Sequence, residues 1–177
     1  MSFLEWLGVG GGPPRDPEAE VVHRIARQLE SLDPAEAKHL ALFAFLLARV
    51  AGVDTVTDPA EVAEMERLVA THGGLTPPEA AMVIEIARAT HKMLGPTHNF
   101  VATREFREAA STEQKLGLLH CLFAVAAADG TITGDEEEEI RTISRGLLLE
   151  DRDYVAVRSA YGDKRSVLRG LRKEEDA

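Results

Sequence analysis

Apolar residues recur at helical spacing along most of the chain, and nearly every recurrence opens on a residue suited to cap a helix. Asp16-Pro17-Glu18 begins the first, with Val21, Val22, Ile25 and Leu29 along one face. Asp accepts from the free N–H groups of the first turn, and Pro at the first helical position has no N–H to leave unpaired. Asp33-Pro34-Ala35-Glu36 begins the second as a variant capping box. This segment continues through Leu40, Leu42, Phe43, Phe45, Leu46, Leu47 and Val50. It is apolar nearly all round, which predicts a central helix buried by its neighbours. Asp58-Pro59-Ala60-Glu61 opens a third helix with Val62, Met65, Leu68 and Val69 inward, closed by His72-Gly73-Gly74. Thr76-Pro77-Pro78-Glu79 opens a fourth, carrying Ala80, Val83, Ile84 and Ile86 towards Leu94, where Gly95-Pro96 breaks it. A shorter amphipathic helix is predicted over 97–110, with Phe100, Val101 and Phe106. The capping box Ser111-Thr112-Glu113-Gln114 launches a second central helix through Leu116, Leu118, Leu119, Leu122, Phe123 and Val125. After Asp129-Gly130, Thr133-Gly134-Asp135-Glu136 caps a helix with Ile140, Ile143, Leu147 and Leu148, and Asp151 to Ala160 forms one more.

The pattern is written twice. A shift of 75 positions lays Asp54 on Asp129, Asp58 on Thr133, Glu61 on Glu136, Glu64 on Glu139, Met65 on Ile140 and Leu68 on Ile143. Phe43 falls on Leu118, Leu47 on Leu122 and Val50 on Val125. Capping, acidic and inner-face positions keep register together, which chance matches seldom do. The fold class that follows is all-α: one helical-bundle domain made of two helical hairpin repeats about a pseudo-twofold axis. Two copies are too few for an open solenoid.

Composition supports this. Aromatics are only 5% of the 177 residues, and 45% are hydrophobic, enough for one domain with a sizeable core. The chain divides into an apolar N-terminal segment and Gly-rich linker over 1–15, the helical domain over 16–165, and a charged tail over 166–177. Phe3, Leu4, Trp6 and Leu7 are expected to fold back on the domain or meet another protein. The run with Lys164, Arg165, Arg169, Arg172 and Lys173 reads as a solvated helix face. A net charge of -10 argues against nucleic acid, whose phosphates need clustered Lys and Arg. Cys121 is the single cysteine and sits in an apolar helix, so it reads as a core residue in a reducing, cytoplasmic setting. No apolar run reaches the length of a membrane span, and no basic leader resembling a secretory signal opens the chain.

The chemistry is concentrated in the acidic turns. Asp129-Gly130-Thr131-Ile132-Thr133-Gly134-Asp135-Glu136 matches the second half of an EF-hand loop, with Asp129 at loop position 5, Gly130 at 6 and Glu136 at 12. Val125 and Ala127 stand where the first ligands belong, so a complete EF-hand is excluded. Two readings remain. In one, Glu61 and Glu136 each complete a capping box at their own helix N-terminus. In the other, the pseudo-twofold axis joins the corners, and Asp54, Glu61, Asp129 and Glu136 bind one divalent cation, calcium or magnesium, with water completing the shell. Glu64 and Glu139, one helical turn on, extend that acidic face.

Elsewhere the signals are bland. His23, His39, His72, His91, His98 and His120 form no His-Glu-x-x-His pair, and Gly10-Gly11-Gly12 lacks the Lys and Ser/Thr of a phosphate loop. His120 reads as a core histidine. Ser and Thr are mostly caps, and no base–nucleophile pair stands out, so the chain is expected to be non-catalytic.

The run Ala126-Ala127-Ala128-Asp129-Gly130-Thr131-Ile132-Thr133-Gly134-Asp135-Glu136, followed by an acidic helix with Ile140 and Ile143, resembles the tellurite-resistance protein B (TerB-like) family. The likeness covers about residues 35–165, with the half around Asp54 and Glu61 similar to the family's other copy. It implies a pseudo-symmetric helical domain with metal bound through Asp54, Glu61, Asp129 and Glu136. Thr55 replaces the signature glycine in the first half. It also implies protein partners in a membrane-peripheral stress-response complex. A related domain occurs in a membrane-anchored J-domain co-chaperone, so the alternative expectation is a structural or co-chaperone-like docking domain without metal.

Overall fold

The computed structural model describes residues 17–50, 58–90 and 96–165. The Trp6 segment, the stretch carrying Asp54 and Thr55, and the tail with Arg169, Arg172 and Lys173 lie outside the described residues.

Eight α-helices run through the described residues: α1 Pro17–Glu30, α2 Pro34–Leu47, α3 Pro59–Gly73, α4 Pro77–Thr90, α5 Pro96–Ala109, α6 Thr112–Ala126, α7 Gly134–Gly146 and α8 Asp151–Ser159. A 3-10 turn, Gly162–Lys164, follows α8. Among these residues there is no strand, only an isolated parallel bridge between Ile132 and Arg165.

Caps fall where the sequence places them. Asp33 Oδ1 accepts from Ala35 N at 2.9 Å, and Asp58 Oδ1 from Ala60 N at 2.7 Å. Ser111 with Gln114, and Thr133 with Glu136, form complete capping boxes. Gly74, at φ +66°, ends α3 in the left-handed conformation that glycine adopts without Cβ strain.

Burial explains the two helices that are apolar all round. Every residue from Leu40 to Leu47 in α2 is buried, as is every residue from Gly117 to Ala126 in α6 except His120. Phe43 packs edge-on against Phe106 of α5 at 6.1 Å, and His39 stacks on Phe106 at 5.3 Å. Phe100, one of the apolar residues of α5, is 70% exposed.

The first half contributes α1 to α4 and the second α5 to α8, and their packing is unequal. The most extensive helix pair is α3 on α6. The corresponding α7 meets the end of α2 through the ion pair Arg49–Glu139 at 2.7 Å. Gly117 explains how closely α3 approaches α6, since a Cβ there would lie 2.8 Å from the His72 carbonyl oxygen.

Candidate functional site

The close α3–α6 contact leaves a cleft of about 770 Å³ on its open side. One wall is α3, with Glu61, Glu64, Leu68 and His72 beside the buried Met65. The second is the end of α6 and its turn, with Ala124, Ala127, Ala128 and Asp129. The third is the stretch after α8, with Ala160, Tyr161, Asp163 and Lys164. The lining mixes apolar residues with the carboxylates of Glu61, Glu64, Asp129 and Asp163.

Each wall has a local cause. Asp58 caps α3 and directs Glu61 and Glu64, one turn apart, along its first exposed face. At the α6–α7 turn, Asp129 Oδ1 accepts from Thr131 N at 2.9 Å. Gly130 follows at φ +92°, a left-handed conformation that explains the Asp-Gly pair. The third wall is fastened at three points. Tyr161 stacks on Phe123 at 5.5 Å, and its hydroxyl donates to the His120 carbonyl at 3.2 Å. Ile132 N donates to Lys164 O at 2.8 Å. Glu137 accepts from Arg158 Nε at 2.6 Å and from Arg165 Nε at 2.7 Å.

The sequence-predicted ligands divide among these features. Glu61 and Asp129, one from each half, line the same cleft. Glu61 has no hydrogen bond or ion pair with another described residue, so its capping-box reading gains no support. Glu136 does cap its own helix: Oε2 accepts from Thr133 N and from Thr133 Oγ1, both at 2.8 Å. It is not among the cleft residues. Glu139 is held by Arg49, which also donates to Thr103 Oγ1 at 3.0 Å. Asp54 lies outside the described residues.

Burial raises and hydrogen bonding lowers carboxyl pKa values, and the balance differs between groups. Glu64 is held below the usual range by its hydrogen bonds from Arg67, at 2.6 and 2.8 Å. For Glu137, burial pushes upward, but the guanidinium groups of Arg165 and Arg158 outweigh it and the value is lowered.

Carboxylate oxygens are the right donors for calcium or magnesium, and calcium takes six to eight oxygens. Among the described residues no group of three or more His, Cys, Asp or Glu is gathered closely enough to hold a metal ion.

The structure adds residues that spacing alone did not single out. Asp163 and Lys164 reach the cleft because Tyr161 and Arg165 anchor the segment between them. Arg165, expected on a solvated face, has only 12% of its side chain exposed and is paired with Glu137. The signal available was the acidic run ahead of it, which leaves a glutamate on the inner side of α7. His120 is stacked on His72 rather than enclosed in the apolar core. Cys121 is a core residue as expected, with its thiol pushed up to about 12 by burial.

No helix among the described residues is long and apolar enough to cross a membrane. A family model described as Tellurite resistance protein TerB matches residues 39–159. Neither the curated proteins nor the solved structures contain a match to the chain.

Proposed function

The chain belongs to the Tellurite resistance protein TerB family, and from that premise we propose that it is a non-catalytic helical binding module acting in a membrane-peripheral stress-response complex. Its working surface is the cleft between α3, the α6–α7 turn and the segment after α8. The observation that carries this reading is that Glu61 and Asp129, from opposite halves of the duplicated sequence, line one cleft. A divalent cation would sit in that cleft, with Glu61, Asp129 and Asp54 as ligands and water filling the remaining positions.

Calorimetric titration with calcium and with magnesium at millimolar concentration tests the cation. Binding heat in the native chain, lost in Glu61→Gln and Asp129→Asn, supports it. No heat from either ion removes it.

A second reading has its own support. Glu136 is taken up by its cap and Glu139 by Arg49, which leaves fewer carboxylates than a hard cation uses. On this reading the cleft takes a protein segment directly, as a docking domain without metal. Partner capture that persists in a chelator and fails in Leu68→Asp would support it. Capture that requires calcium would return the site to the first reading.

A further inference from the structure

Helix α7 buries Ile140, Ile143 and Ser144 on its inner side and leaves Asp135, Glu138, Arg141, Thr142 and Arg145 exposed on the other. An α-helix turns about 100° per residue, so Asp135, Glu138, Thr142 and Arg145 fall within about 80° of one another, with Arg141 about 40° to the side. The acids occupy the first half of the helix and the arginines the second, the order that the helix dipole favours. Among the described residues, Asp135, Glu138 and Arg145 have no side-chain hydrogen bond or ion pair. Arg141 rests over the Tyr154 ring, 5.9 Å from its centroid. We propose that this face is the interface of a symmetric dimer, in which α7 of a second copy of the chain lies antiparallel on α7.

Charge selects both the partner and the direction. Asp135 and Arg145 lie equally far to either side of Ile140, and Glu138 and Arg141 nearly so. One antiparallel register about that level therefore sets each acid opposite an arginine. A twofold axis makes the same patch self-complementary and forms each pair twice. A parallel arrangement would set acid on acid and arginine on arginine. The net charge of -10 pushes two copies apart at a distance, but at about 0.15 M salt that repulsion is screened beyond about 8 Å while contact pairs persist.

Leu148 gives a second, independent reason. Leu147 caps α7, and the chain then turns through Leu148 at φ 57°. Leu148 N donates to Arg145 O at 3.0 Å, and Leu149 N to Ser144 O at 3.2 Å. This is the Schellman arrangement, whose left-handed position usually holds glycine because a Cβ is strained there. Among the described residues Leu148 is the one non-glycine at positive φ, and it is 74% exposed. Within a single chain no burial offsets that strain. In the antiparallel pair Leu148 follows the arginine end of one α7 and is covered by the start of the other.

Exposed ion pairs contribute little each, so the dimer is weak. Sedimentation equilibrium of the full chain, in about 0.15 M salt with a chelator so that no ion bridges the copies, should show reversible dimerisation between roughly 10 μM and 1 mM. Asp135→Arg/Glu138→Arg and Arg141→Glu/Arg145→Glu should each stay monomeric over that range, because each altered face repels its own copy. Mixed in equal amounts, the two variants should associate about tenfold or more tightly than either does alone. Leu148→Gly should raise the thermal midpoint of the dilute monomer and weaken the dimer severalfold. A native chain still monomeric at the highest concentration overturns the proposal. So does a dimer that both reversed variants keep, or a mixture no tighter than its components. Where circular dichroism shows that a reversal has unfolded α7, Glu138→Gln and Arg145→Gln take its place: each should weaken the native dimer severalfold, and unchanged association in both overturns the proposal equally. A Leu148→Gly chain that is stabilised yet dimerises like the wild type overturns the placement of Leu148. None of these residues lines the cleft, so this test and the cation titration fail separately.

Discussion

His72 and His120 stack across the α3–α6 contact, with ring centroids 5.5 Å apart and planes 11° from parallel. Burial lowers the His120 pKa, and the charge of His72 lowers it further. The folded state therefore favours neutral His120, while the unfolded chain takes a proton near the ordinary value of 6.5. Stability from this group is complete above 6.5 and is lost as pH falls towards the lower folded value. His39 acts in the same direction, lowered by burial although Glu79 opposes the shift. Urea midpoints should thus fall on acidification below the imidazole range. His120→Phe, which keeps an aromatic ring on His72 but cannot titrate, should show a shallower fall, with the remainder due to His39.

Glu137 ties the third wall of the cleft to α7. Its side chain is 15% exposed and accepts from both Arg158 and Arg165. Glu137→Gln should destabilise the domain by about 1.5–3 kcal/mol, the range for hydrogen bonds to charged groups, because two guanidinium groups lose their counter-ion. The loss should be local as well as global: exchange at the Ile132 amide, which donates to Lys164, should rise more than exchange in α2. In the wild type the same contact weakens in acid. The folded carboxyl is held below 4.5, so its contribution is full above that value and disappears as pH falls through the folded one.

Cys121 is fully buried, and its Sγ lies 3.8 Å from the Val69 carbonyl oxygen. With the thiol pushed up to about 12, almost no thiolate exists near neutral pH, and reagent has no path to it. Labelling by a thiol-specific reagent should be slow in native buffer and should track the unfolding transition in urea. Rapid labelling in the absence of denaturant would mean that α6 opens from α3 without global unfolding.

Much of this architecture was legible because helices announce themselves locally. Asp33, Asp58, Ser111 and Thr133 are short-range devices, and the structure finds each at its helix start. The run from Phe43 to Leu47 could only be buried on all sides, and it is. Long-range matters were less visible. Arg165 is 28 residues from Glu137, and no periodicity links an arginine near the tail to a glutamate in the acidic run. Phe100 is one of the apolar residues of its helix, but α5 packs through Ala102, Thr103 and Phe106 and leaves Phe100 outside. The candidate site was half visible for the same reason. The duplication singled out Glu61 and Asp129, but only the packing of α3 on α6 brings them to one cleft, with Asp163 arriving from a third element.

Gly117 should tolerate even a small change poorly. An alanine Cβ would stand 2.8 Å from the backbone oxygen of His72, and neither helix can yield without shifting the α3–α6 contact. Overpacking of this sort costs about 1–3 kcal/mol. Gly117→Ala should therefore lower the thermal midpoint despite alanine's higher helix propensity, and the disturbance should reach the cleft through His72. Gly134→Ala is the matched control, because nothing lies within 4 Å of its Cβ position. It should leave stability nearly unchanged.

Glu136 separates capping from ligation. Its Oε2 closes the capping box with Thr133, and it is absent from the cleft that holds Glu61 and Asp129. Glu136→Ala and Thr133→Ala should each cost about 0.5–2 kcal/mol, the range for a lost N-terminal cap. Glu136→Gln keeps an acceptor oxygen at the same place and should cost less. Calcium heats in Glu136→Gln should match the wild type while Glu61→Gln and Asp129→Asn lose them. A Glu136→Gln variant that folds normally and yet loses its calcium heat would place that carboxylate on the ion after all, in a state where α7 gives up its cap to bind.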